Sequence, residues 1–433
     1  VRRAVLPLLL LAGACQHYAP APLATRAPLI GHIAPGHPLG IDEVVRLALE
    51  NNPDLKAARA KRGVADAALI QSGILPNPSL AGAFLPLVSG VGVASAWSVG
   101  LSTDVKALVT YRSRRRAARD TAGQAAADLL WQEWLVAGQA RQLAADLIAA
   151  RRQQQLADEA FRLLSARDQA MRTALAAGDV TLVTASPSFS ALQTARGTLD
   201  TIDQRLLQLR HQLDALLGFA PDIELPLVPA VALPPFDPAA IRASLATLPE
   251  RRPDLLALRL GYAAQEEGVR QAILTQFPDL VLGGSATSDS SKVVNVGPEA
   301  TIGLPIFDRG QGTIAAARAT RALLQAEYAA RLATATGEAG AALAEMEQLE
   351  RQLVVARAAL PAARLAAEHA QAARGRSAIE ETAYVDLIAT RFTREQDVMA
   401  LETALMDRQI ALQTLIGAGL PTVDTLPATE AAR

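Results

Sequence analysis

The chain has 433 residues, 42 Lys+Arg against 43 Asp+Glu and a formal net charge of −1, which excludes a global electrostatic pull toward nucleic acid. Half of it is hydrophobic and only 4% is aromatic, enough apolar surface for a large folded body built mainly from helix. One cysteine and five scattered histidines (His17, His32, His37, His211, His369) exclude a disulfide framework, a multi-cysteine metal centre and an HExxH metalloenzyme.

Val1-Arg2-Arg3 followed by the apolar run Ala4 to Ala14 reads as a secretory signal. Leu11-Ala12-Gly13-Ala14-Cys15 resembles a bacterial lipobox, with the leucine one residue farther from the cysteine than usual. Cys15 is therefore the candidate lipid-modified terminus, an anchor rather than a span. The alternative is an unused thiol near an ordinary cleavage site. Residues 16–38, rich in Pro, Ala, His and Gly, read as an extended leader.

An internal repeat organises the rest. Asn52-Pro53-Asp54-Leu55 recurs as Arg252-Pro253-Asp254-Leu255, and Gln71, Pro78 and Leu80 recur as Gln271, Pro278 and Leu280. Gly100-Leu101 recurs as Gly303-Leu304, and Leu213, Leu216 and Gly218 recur as Leu412, Leu415 and Gly417. The chain divides into a first unit at 39–218, a proline-rich linker at 219–238, a second unit at 239–417 and a tail at 418–433. The period far exceeds that of solenoid repeats.

Each unit reads alike in chain order. A helix comes first, over 41–73 and 238–277, with Asp42 and Asp237 as candidate caps and Pro53 and Pro253 as interruptions. A hairpin-like stretch follows, near 78–104 and 278–307. Long alanine-rich helices are expected over 107–176 and 310–360. Gly178 and Gly375 mark reversals, and returning helices close the units at Leu217 and Ile416. A helix over 107–176 is about 105 Å long at 1.5 Å per residue, a length that suits a tube bridging two membranes.

No charged side chain occurs from Ala67 to Thr103, yet Pro76, Pro78, Pro86 and five glycines break any single helical span. Alternation appears instead. Trp97, Val99, Leu101 and Thr103 fall on one face, and Leu280, Leu282, Gly284 and Ala286 on another, partnered by Val296, Pro298, Ala300, Ile302 and Leu304. Apolar-out, small-or-polar-in segments are the pattern of a membrane β-barrel, and Trp97, Phe277 and Phe307 are candidates for its aromatic girdle. Four strands cannot close a barrel, and open edges are not tolerated in lipid. Either the hairpins are soluble and half-buried on a helical layer, or several chains share one barrel.

Three segments carry a family resemblance: Leu39 to Leu55, Gly73-Ile-Leu-Pro-Asn-Pro78, and Gly303-Leu-Pro-Ile-Phe-Asp-Arg-Gly-Gln-Gly312. Their order and spacing resemble the outer membrane efflux proteins, the TolC-like channels, over 38–417. The Pro305 to Gly312 stretch is most similar to members serving metal-ion or resistance-nodulation-division pumps. The resemblance implies a mainly α fold with a small β part in a Gram-negative outer membrane. It implies a homotrimer in which three chains share a twelve-stranded barrel and their helices form a periplasmic tunnel. It also implies an adaptor and an inner membrane pump as partners, contact with outer membrane lipid, and neither an enzyme nor a cofactor. The sequence contains no Walker loop, GxSxG or dinucleotide fingerprint.

At the reversals, Asp179, Glu380, Glu381 and Asp386 are expected to face the periplasmic mouth beside Gly178 and Gly375. Arg374 and Arg376 are expected to pair with them across subunits. The competing reading is helix capping or a solvated face. Arg112, Arg114, Arg115, Arg116 and Arg119 read either as headgroup contacts or as a solvated cluster, and Trp131 and Trp134 as core. The alternatives for the whole chain are a soluble periplasmic coiled-coil adaptor or scaffold, and an all-helical lyase-type enzyme.

Overall fold

The computed structural model describes residues 18–31, 36–221, 223–231, 237–376 and 378–418. Cys15 lies outside the described residues. The first unit holds α1 (Ile41–Asn51), α2 (Pro53–Ser72), β1 (Ser79–Leu85), β2 (Ala96–Asp104), α3 (Val105–Ala177) and α4 (Leu182–Leu217). The second holds α5 (Pro238–Leu245), α6 (Leu248–Arg251), α7 (Pro253–Leu274), β3 (Asp279–Ser288), β4 (Val294–Gly303), α8 (Gln311–Gly375) and α9 (Glu381–Leu415).

Pro53 and Pro253 both open helices, where the missing N–H costs nothing and φ is already set. Asn52 caps α2 by accepting from the Leu55 N–H at 2.9 Å, and its Nδ2 donates to the Leu216 carbonyl at 2.8 Å. At the equivalent place in the second unit, Arg252 donates to the Leu415 carbonyl at 3.2 Å and pairs with Asp254 at 2.7 Å. Each unit is thus tied from the start of its second long element to the end of its returning helix, by different chemistry.

Four expectations need correction. Gly40, not Asp42, caps α1; Asp42 stands in the first turn, and Glu43 reaches back to accept the Gly40 N–H. The helix expected over 238–277 is three helices, because Pro249 starts a short α6 of its own. The second long helix does not stop at Leu360. It runs through Pro361 to Gly375, with the exposed ring on the outside of a helix already held by its neighbours. Gly375 is right-handed and is the last helical residue, whereas Gly178 adopts the left-handed cap (φ 83°).

The long helices are joined by small residues. Ala140, Ala144, Ala145 and Ala150 on α3 are essentially fully buried, beside Leu143, Leu147 and Ile148. At Gly138 an added Cβ would stand 2.5 Å from Thr414 Oγ1, so α3 and α9 meet there without side-chain spacing. One core gathers α1, α3 and α4 around Val44, Leu147, Leu213 and Leu217; its counterpart in the second unit centres on Leu248, Met346 and Leu412. Trp134 donates to the Thr414 carbonyl at 2.9 Å and Trp131 lies under Arg252 at 4.6 Å, so both serve packing. No described helix is long and apolar enough to cross a membrane.

Candidate functional site

The four strands form one antiparallel meander, β1-β2-β3-β4, in which β2 and β3 join the two units. The register aligns side chains across all four strands. Leu80, Leu101, Gly284 and Pro298 share a row, as do Gly82, Val99, Ala286 and Val296, and then Phe84, Trp97, Ser288 and Val294. Leu280 and Ile302 extend the same face toward the helices. This face is apolar and exposed at Leu80, Phe84, Trp97, Val99, Leu101, Val296 and Ile302. The opposite face carries Ser79, Ser102, Gly283 and Glu299 in one row and Ala81, Gly100, Ser285 and Gly297 in the next.

A sheet with one face apolar and exposed and the other small or polar suits lipid outside and water inside. Its outer edges, β1 and β4, have no strand partner among the described residues. The aromatic positions fall at both ends. Phe84 and Trp97 lie beside the turns, and Phe277 and Phe307 are exposed at the base where strands meet helices. Lys106 pairs with Asp279 at 2.6 Å at that base. Of the basic cluster above α3's first turns, Arg114 donates to the Ala107 carbonyl, and Arg116 lies 3.9 Å from Glu267.

At the far end of the long helices, the two reversals lie side by side over a shared core of Leu156, Leu164, Ala370, Tyr384, Ile388 and Phe392. Asp179, Glu380 and Asp386 are exposed there. Asp386 lines a groove of about 320 Å³ with Pro187, Ala191, Thr194 and Phe392. Glu381 is different. It is buried (6% exposed) and is the acceptor on which three elements converge. Arg167 on α3 donates from Nε at 2.5 Å and from Nη2 to the other oxygen, Ser188 on α4 donates at 2.6 Å, and Arg374 on α8 at 3.2 Å. Burial pushes this carboxyl up, but the hydrogen bonds from Arg167 and Ser188 and the charges of Arg167 and Arg374 hold it below its ordinary value overall. The expectations for Glu381 and Arg374 are corrected accordingly: the acid does not face the mouth, and the arginine is paired within its own chain. Arg376 is exposed and donates to the Ala372 carbonyl.

Between sheet and tip, Asp146 on α3 faces Asp407 on α9. Gln142 donates to Asp407 at 2.6 Å and to Asp146 at 3.4 Å, and Arg205 lies 3.7 Å from Asp146. Burial and the neighbouring Asp146 charge raise the Asp407 carboxyl to about 6. Arg167, Ser188, Asp146 and Asp407 were not singled out in the sequence, where their partners are 193 to 265 residues away.

Two long helical hairpins bearing an edge-open, two-faced sheet make a fold that this chain shares with solved outer membrane channels. Residues 245–418 match the family model described as outer membrane efflux protein. Among solved structures, the CmeC outer membrane channel of Campylobacter jejuni is similar at a TM-score of 0.75 and 18% identity, over 88% of this chain and 86% of that one. The outer membrane protein VceC of Vibrio cholerae gives 0.72 and 18%, over 87% and 96%. CusC gives 0.71 and 21%, over 93% of this chain and 99% of that one. No curated protein sequence matches the chain significantly.

Proposed function

We propose that this chain is the subunit of a homotrimeric outer membrane channel, the passive conduit of a tripartite efflux system in a Gram-negative bacterium. An inner membrane pump and a periplasmic adaptor would feed small molecules or metal ions into its helical tunnel. Acylation of Cys15 would add a lipid anchor. The observation that carries the reading is the sheet: an exposed apolar face flanked by two unpaired edges. Each unpaired backbone group costs several kcal/mol in hydrocarbon. Four strands from each of three chains supply twelve, enough to remove every edge. The structures of CusC are described in terms of transmembrane channel formation, which supports the same reading.

The adaptor alternative accounts less well for the two equivalent helical hairpins, α3–α4 and α8–α9, and for the apolar outer face. Pairs of cysteines scanned along β1 and β4 in a Cys15→Ser background test the proposal. Disulfides should link chains into a membrane-bound ladder that ends at the trimer. A soluble monomer with no intermolecular disulfide at any register would overturn it.

A further inference from the structure

Glu299 stands near the middle of β4, five residues from one end of the strand and four from the other. It lies on the small, polar face, in the row of Ser79, Ser102 and Gly283. A carboxylate at mid-sheet could not face hydrocarbon without a large penalty, so Glu299 itself orients the sheet: its face is the wet one. Among the described residues, none offers it an ion-pair partner within 4.0 Å. The nearest basic residues in sequence are at the ends of the hairpin. Lys292 occupies the turn, and Arg309 follows the base. Lys106, also at the base, is already paired with Asp279.

The side chain lies along the wall rather than across the lumen. Its Oε2 comes within 3.7 Å of where a Cβ on Gly100 would stand, two strands away. Gly100 and Gly283 form the floor over which it passes. At Gly283 an added Cβ would fall 2.5 Å from the Leu101 carbonyl oxygen, so no side chain can rise there to cover the carboxylate. The result is a negative charge held on the inner surface, solvated, with the passage left open.

We propose that Glu299 sets the ion preference of the membrane-spanning part of the conduit, favouring cations over anions of similar size. This rests on the trimeric channel reading above. Three copies would place three carboxylates at one height in the lumen, with no paired cation on the strands. Their field reaches about one Debye length, roughly 10 Å at 0.1 M salt and 3 Å at 1 M, so the preference is a low-salt property.

Reversal potentials across planar bilayers in KCl gradients test it, using parent protein, Glu299→Gln and Glu299→Lys, each shown to be heat-modifiable on gels. At 0.1 M the cation-to-anion permeability ratio should fall about threefold in Glu299→Gln and invert in Glu299→Lys. Both differences should shrink at 1 M. Parent-level ratios in both variants at 0.1 M would overturn the proposal. If neither the parent nor a Glu381→Ala protein with a loosened tip passes current, the channel reading fails instead.

Discussion

Glu381→Ala removes the acceptor that holds the tip together. Arg167, its main partner, has a side chain only 10% exposed, and Ser188 is fully buried. Stranding a buried guanidinium costs about 3–5 kcal/mol, and an unsatisfied hydroxyl about 1 kcal/mol or more. Arg374, at 36% exposed, adds less than about 1 kcal/mol. These losses overlap, so about 4 kcal/mol is expected for opening the first turns of α9 against α3 and α4. Local opening is read by amide hydrogen exchange, where about 4 kcal/mol is nearly three decades in rate. Protection over 381–388 should fall by that order while the centre of α3 is unchanged. Glu381→Gln, which keeps one acceptor but leaves the Arg167 charge unpaired, should recover only part of that loss. Arg167→Ala with Glu381→Ala should be milder than Glu381→Ala alone, because no charge is left stranded. The folded carboxyl lies below its ordinary value, so this contribution is complete above about pH 5 and is lost as pH falls through the lowered folded value. Protection in Glu381→Ala within a factor of about three of the parent would show that apolar packing under Tyr384 holds the tip, and would refute the reasoning.

Asp407 has the opposite sign. Its folded value of about 6 lies above the unfolded one, so the folded state gains stability as pH falls through 6. Thermal unfolding of the parent should shift upward between pH 7.5 and 5, and Asp407→Asn should flatten that shift and be at least as stable as the parent at pH 7.5. Gly138→Ala places a methyl 2.5 Å from Thr414 Oγ1. Separating α3 from α9 there should cost about 1–3 kcal/mol, seen as a lower unfolding temperature that Thr414→Ala partly restores.

The duplication was legible because its marks are local. Asn52-Pro53 and Arg252-Pro253 both open helices, and Gly218 and Gly417 both adopt left-handed ends (φ 67° and 64°). The strands were legible because the pleat gives side chains a period of two, and here one phase is apolar while the other is small or polar. Pro361 misled because a rule about isolated helices was applied to a helix fixed by its neighbours. Gly375 misled because a glycine near a reversal need not be the residue that turns; it is the last residue of α8, and the cap falls at Arg376. Glu381 was found as an acid near the tip but assigned the wrong surroundings. Arg374 is only seven residues away, but the acid's other two partners come from α3 and α4, 214 and 193 residues earlier, and no local pattern encodes that meeting.

The two ties that close the units also set how each half would come apart. Asn52 holds the Leu216 carbonyl with a neutral amide, a bond indifferent to acid and salt. Arg252 holds the Leu415 carbonyl while paired to Asp254 and stacked on Trp131, so its grip depends on a buried ion pair. Duplication supplied two copies of one clasp, and sequence drift made one of them of neutral material and the other of ionic material. Substitution therefore distinguishes the two halves: losing Asn52 removes a cap and a neutral bond, whereas losing Asp254 leaves the buried Arg252 guanidinium without its close carboxylate partner.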